Sequence, residues 1–223
     1  MSARDVVLNS IRRSLGVSGG EAPRRTATDE RIARHPRGLV PQRGSEPAKK
    51  RLKQFTDMVA EAHGTVQELV SPEEVPGAVS AYLRSKNLPM SVRRGSDPRL
   101  NEIPWQNEGT LEVTVGPSDG KQLASVSHAF GAVAETGTIV LVSGPENPTT
   151  LNFLPEHHLV VVAAKDIAGN YESVWDALRK KGAQWPRTVN WITGPSRSAD
   201  IEQVHLHGAH GPRSLHVLIV GKA

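Results

Sequence analysis

Three stretches in the second half of the chain, "GTIVLVSG" (137–144), "HLVVVAAKDI" (158–167) and "SLHVLIVG" (214–221), are apolar at consecutive positions. A strand with one wet face alternates apolar and polar residues, so a run without alternation has to be buried on both faces. Three such runs predict an α/β fold, a mostly parallel sheet flanked by helices. In sheets of this kind ligands bind beyond the strand ends, which directs attention to the polar loops leaving these strands.

The remaining elements follow from periodicity and end signals. "AKKRLKQFTDMVAEAHG" (48–64) spaces Leu52, Phe55, Met58, Val59 and Ala62 as a helix does, with Gly64 as its stop. "SPEEVPGAVSAYLRSKNLP" (71–89) opens as a helix with Ser71 as N-cap and Pro72 at the first position. "GNYESVWDALRKKG" (169–182) is a capped helix, and "TVQELV", "MSVRR", "GTLEVTVG" and "TVNWITG" read as strands. "SDGKQLASVSHAFGAVAET" (118–136) reads as a helix of small residues, "NPTTLNFLPE" (147–156) as a short helix or turn, and 96–109 as a loop.

The domain plan has three parts. Residues 1–16 form an amphipathic helix capped by Ser2 and ended by Gly16, with Val6, Ile11 and Leu15 on or near one face. Residues 17–47, with six Arg, repeated Gly and Pro and no apolar period, read as a flexible basic linker, and 48–223 as the α/β domain. A helix tethered so far from a core is marginal alone and is expected to dock on a partner or a second copy. Residues 1–55 hold 13 Lys and Arg against 5 Asp and Glu, whereas the rest of the chain holds 14 against 18. A basic arm therefore adjoins a mildly acidic body; Phe55 is its only aromatic, so the stacking groups of a single-strand binder are missing and nucleic acid is not the expected partner.

Among 223 residues there is no cysteine, which removes disulfides, thiolate nucleophiles and cysteine-held iron–sulfur clusters. No run approaches the roughly 20 apolar residues of a membrane span, and "MSARDVVLNSIRRSLG" has no signal-type apolar region, so the expected location is cytoplasmic. No GxGxxG fingerprint for a dinucleotide is present. His205 and His207 alternate onto one strand face with His210 nearby, but no HExxH-type spacing accompanies them, and no metal is assigned.

Two strand-adjoining segments carry the chemistry. In "AETGTIVLVSG", read as a helix-to-strand passage, Gly137 permits a tight turn between Thr136 and Thr138, whose hydroxyls and amides suit phosphate or carboxylate oxygens, and Glu135 supplies a base. The bland reading, in which the threonines satisfy a loop and Glu135 caps or pairs, stands beside it. In "TGPSRSADIE", Thr193 and Gly194 leave a strand and Ser196 or Ser198 caps a short helix containing Asp200 and Glu202, a positive end open to an anion or a plain cap. His210 sits between small residues where a near-neutral imidazole could move a proton, and Arg213 could hold a carboxylate bidentately; a loop-stabilising pair is the alternative. Taken together these segments predict two walls of one small-anion site.

"AETGTIVLVSGPENPTTLNFLPEHHLVVV" followed by "ITGPSRSADIEQVHLHGAHGPRSLHVLIVG" resembles the two signature segments of the LUD domain, in particular the lactate utilization protein C family. The resemblance spans roughly residues 50–223 and is dense from Ala134 onward. It implies a NagB/RpiA/CoA-transferase-like α/β fold and a role in oxidising lactate to pyruvate, beside partner subunits that carry the iron–sulfur clusters while this chain binds no cofactor. Two other readings are a stand-alone sugar-phosphate isomerase or CoA-transferase with Glu135 as base or nucleophile, and a nucleic-acid-binding regulator acting through the basic arm.

Overall fold

The computed structural model describes residues 2–182, 185–201, 204–208 and 210–222, with the backbone course alone for 198–201 and 204–207. The chain divides into two compact units, Met1–Leu39 and Val40–Ala223.

The first unit contains helices α1 (Ala3–Leu15) and α2 (Ala22–Arg34). Ser2 and Asp5 close a reciprocal capping box on α1, and Gly16 ends it in the left-handed conformation at φ 65°. Helix α2 lies inside the segment read as a linker. It has no buried residue, so its order is local: the Glu21 carboxylate accepts the backbone N–H groups of Ser18 and Gly19 just ahead of it, and Pro23 stands in its first turn.

The second unit begins at Val40 rather than 48. A 3₁₀ turn at Gln42–Ser45 precedes α3 (Ala48–Glu61), and α4 (Val75–Ser85), α5 (Pro98–Asn101), α6 (Thr150–Phe153) and α7 (Tyr171–Lys180) follow. Its strands are β1 (Thr65–Leu69), β2 (Ser91–Arg94), β3 (Glu112–Val115), β4 (Ala124–His128), β5 (Gly131–Val133), β6 (Thr138–Val142), β7 (His157–Ala163), β8 (Ile167–Ala168), β9 (Val189–Thr193), β10 (Arg197–Ile201), β11 (Val204–His207) and β12 (Ser214–Val220). An all-parallel sheet runs in the order β1-β12-β7-β4-β2-β3, and a mixed sheet in the order β8-β5-β6-β9. This is the expected α/β class, with the mixed sheet as an addition.

The two-faced burial is visible residue by residue. Leu159, Val161 and Leu218 face α4 with Val79, Leu83 and Trp105, while Val160, Val162, Val217 and Ile219 face α3 and the mixed sheet with Phe55, Val59 and Ile139. Helix α7 covers the far side of the mixed sheet through Val174 and Leu178 against Val133 and Val140. Among the described residues no helix is long and apolar enough to cross a membrane.

Two expected helices are strands. Within residues 118–136, read as a helix of small residues, lie β4 and β5: Ser125 Oγ donates to the Leu151 carbonyl at 2.6 Å and Ser127 Oγ to Asn152 Oδ1 at 3.1 Å, so both hydroxyls are satisfied inside a buried strand. Residues 197–201 and 204–207 form the antiparallel pair β10–β11 instead of a helix capped by Ser196 or Ser198. Glu202 and the side chains of Asp200, His205 and His207 lie outside the described residues.

Histidines on β7 and β12 hold their partners inside the core. His158 Nε2 lies 3.0 Å from Ser127 Oγ, His216 Nδ1 lies 2.7 Å from Thr65 Oγ1, and the His216 ring stacks on Tyr82 at 4.6 Å. Burial pushes the His158 ring down from 6.5 to about 3 and His216 to about 4. The native chain therefore refuses protons that the unfolded chain takes up below about pH 6.5, so this stabilisation is whole above that pH and drains away as pH falls through about 4. Thermal melts should show Tm dropping from pH 7 to 4, with a shallower drop for His216→Gln. Equal slopes for the two proteins would contradict the assignment.

Candidate functional site

The hairpin between β5 and β6 carries Glu135, Thr136 and Gly137, so the motif links two antiparallel strands rather than a helix and a strand. Register places Thr138 opposite Thr193 of β9, and their hydroxyls lie 2.6 Å apart. Thr136 Oγ1 is 2.7 Å from Thr138 Oγ1, and the Tyr171 hydroxyl stands 2.9 Å from both. Four hydroxyls from three elements thus form one network, and antiparallel pairing rather than parallel strand ends brings the two segments together. Tyr171 was missed in the sequence, where it reads only as a helix residue.

Gly137 and Gly194 pack on the last turn of α3. A Cβ on Gly137 (φ 64°) would fall 2.5 Å from Val59 N, and one on Gly194 (φ 73°) 2.1 Å from the Ala62 carbonyl oxygen. Both positions require glycine for conformation and for space. Ser196 lies beyond this edge, donating its N–H to the Pro212 carbonyl at 2.8 Å. Arg213 Nε is 3.7 Å from Glu156 Oε2 with most of its side chain exposed, and His210 is exposed. Among the described residues no hydrogen bond or ion pair joins His210 or Arg213 to Glu135.

Glu135 is only 3% exposed. Its Oε1 accepts the Tyr171 N–H at 3.4 Å at the start of α7, while Oε2 has no hydrogen-bond partner and Arg43 Nε stands 3.8 Å away. The Gln42–Ser45 turn straps it over. A Cβ on Gly44 would lie 2.9 Å from Asn170 Cβ and 3.0 Å from Glu135 Oε2, and the strap is tied by Asn170 Nδ2 to the Gly44 carbonyl at 2.9 Å and Gln54 Nε2 to the Arg43 carbonyl at 2.8 Å.

A separate crevice opens beyond the carboxyl ends of β4 and β7, where Asp97 is the organising group. Burial disfavours its charge, but hydrogen bonds from Arg99 and Asn147 and the Arg99 charge outweigh that and hold its carboxyl at about 2. Arg99 is gripped at 2.7 and 3.0 Å by the two Asp97 oxygens and donates to the Ala129 carbonyl at 3.1 Å. His128 is held below its usual range by burial and then by the Arg99 charge. Two cavities meet here at Phe130 and Lys181, one of about 450 Å³ edged by Arg51, Arg99, Lys165 and Asp166 and one of about 930 Å³ edged by Asn147, Trp185 and Arg187. None of Glu135, Thr136, Gly137, Thr138, Thr193, Gly194, Ser196, His210 and Arg213 lines either cavity. Among the described residues no three His, Asp or Glu are grouped to hold a metal ion.

Comparison with known proteins follows the same segments. Residues 120–220 match the LUD domain family. Lactate utilization protein C of Deinococcus radiodurans is 30% identical over 183 residues, covering 76% of this chain and 79% of that protein. Lactate utilization protein C of Geobacillus thermodenitrificans is 36% identical over 107 residues, 46% of this chain and 45% of that one. The crystal structure of a DUF162 family protein from Deinococcus radiodurans superimposes with a TM-score of 0.58 at 24% identity, covering 79% of this chain and 99% of that one, and shows the common fold. With the domain match on the hairpin and its partner strands, and a relative aligned over most of both lengths, the chain belongs to the LUD-domain family of lactate utilization C proteins.

Proposed function

We propose that this chain is the component of a lactate-utilization assembly that carries no iron–sulfur cluster, supporting oxidation of lactate to pyruvate beside cluster-bearing partners. Two facts support this: relatives bear the name, and a chain without cysteine has no thiolates to hold a cluster; in this reading the electrons leaving the substrate pass to a centre on another protein. In this reading Glu135 is the base that takes a substrate proton and His210 a second proton-handling group. The hairpin threonines with Gly137, the Thr193–Ser196 turn and Arg213 hold the small carboxylate or phosphate.

The observation that carries the reading is Glu135 itself. A carboxylate buried in a hairpin, with one oxygen that has no hydrogen bond and only a 3.8 Å ion pair to the largely exposed Arg43, is costly to maintain for stability alone. With Gly44 seated on that oxygen, Glu135 meets a substrate once the Gln42–Ser45 strap lifts.

Glu135→Gln keeps the shape and the Tyr171 contact, so it should abolish lactate-dependent growth while leaving Tm within a few degrees of wild type; His210→Ala should impair growth with Tm unchanged. Growth of both variants at the wild-type rate would reject these roles. Gly44→Ala should unseat the strap, read as faster protease cleavage between residues 36 and 48 and about 1 kcal/mol of lost stability. An unaltered cleavage pattern would show that the strap is not held by this contact.

A further inference from the structure

The crevice at the carboxyl ends of β4 and β7 has a charge composition that neither the fold nor the proposed lactate role requires. The chain from residue 56 onward carries more acid than base, yet three of its cations, Arg99, Lys165 and Lys181, line one cavity of about 450 Å³ together with Arg51, against a single lining carboxylate, Asp166. Like charges gathered around one concavity repel, and a protein tolerates that where a counter-anion relieves it.

The cations differ in what they have left to offer. Arg99 is spent on Asp97 and the Ala129 carbonyl, which fixes its guanidinium in place and leaves it as an oriented charge. Arg51 gives its Nε to the Glu46 carbonyl at 2.9 Å and keeps its terminal nitrogens. Among the described residues neither Lys165 nor Lys181 pairs with a carboxylate; the Lys181 ammonium lies 4.6 Å over the Phe130 ring, beside the cavity. Lysine ammoniums are compact point charges with three rotatable donors, suited to the tetrahedral array of oxygens on a phosphoryl group, and the terminal nitrogens of Arg51 form a fork that matches two phosphate oxygens as well as it matches a carboxylate. Even after Asp97 and Asp166 are counted, the cluster keeps two positive charges, matching a dianion.

The site also lies where an open α/β sheet offers one. Lys165 and Asp166 follow directly from β7, and Phe130 follows the turn after β4. Lactate itself, a small monoanion, would fill a minor part of the volume. We infer that this crevice binds a phosphate-bearing small molecule, its phosphoryl oxygens between Lys165, Lys181 and Arg51 and its charge balanced by the fixed Arg99. The inference does not depend on Glu135, which lies at the far end of β5.

Calorimetric titration of the full chain with inorganic pyrophosphate at low ionic strength tests it. Binding is expected in the micromolar to millimolar range and should weaken roughly tenfold for Lys165→Ala and again for Lys181→Ala, both exposed side chains whose loss leaves the fold intact. Asp166→Asn should tighten it, and Lys121→Ala, away from the crevice, should leave it unchanged. The inference is overturned if wild type takes up no pyrophosphate at millimolar concentration, or if the double lysine variant binds it as wild type does.

Discussion

Strands β7 and β12 run parallel and in register over seven residue pairs, from His157 opposite Ser214 to Ala163 opposite Val220, and the second unit is assembled around that pairing. Because both strands are apolar on successive residues, each face must find a cover, and the two covers are different in kind. One is a helical layer led by α4. The other is α3 together with a second sheet, which the Gly137 and Gly194 contacts bring hard against the last turn of α3. The position of the Glu135 hairpin is a consequence of that packing, since a side chain at either glycine would force it off the helix.

How far the sequence disclosed this depends on whether the deciding contact was local. The strands β6, β7 and β12 were legible because consecutive apolar residues admit one explanation, and α7 was legible because Asn170 caps it three residues ahead of Ser173. Strand β4 was not: its small residues read as a helix until the acceptors of Ser125 and Ser127 on α6, some 25 residues away, are known. Helix α2 failed for the opposite reason. It buries nothing, so periodicity had no signal to show, and the contacts at its ends are local, from the Glu21 carboxylate to Ser18 and Gly19 ahead of it and from the His35 N–H to the Arg31 carbonyl behind.

The candidate site was partly legible in the same sense. Thr136, Thr138 and Thr193 meet through antiparallel pairing rather than at parallel strand ends, and Glu135 is buried. His210 and Arg213 stay on an exposed loop before β12. Nothing in the sequence joined Arg99 to Lys165 and Lys181, because residues dozens of positions apart meet only through the order β7-β4-β2 and the turn to β5. The charge they share is invisible in a net count dominated by the basic arm.

The proposed function divides the labour, with proton chemistry on this chain and electron transfer on another. Purifying the tagged full chain from lactate-grown cells and measuring the iron content and lactate oxidation of what accompanies it addresses that division directly. An iron–sulfur protein in the eluate, lactate oxidation by the assembly, and none by this chain alone are the expected results. Turnover of lactate by the isolated chain, or an active assembly without iron, would contradict the proposed function.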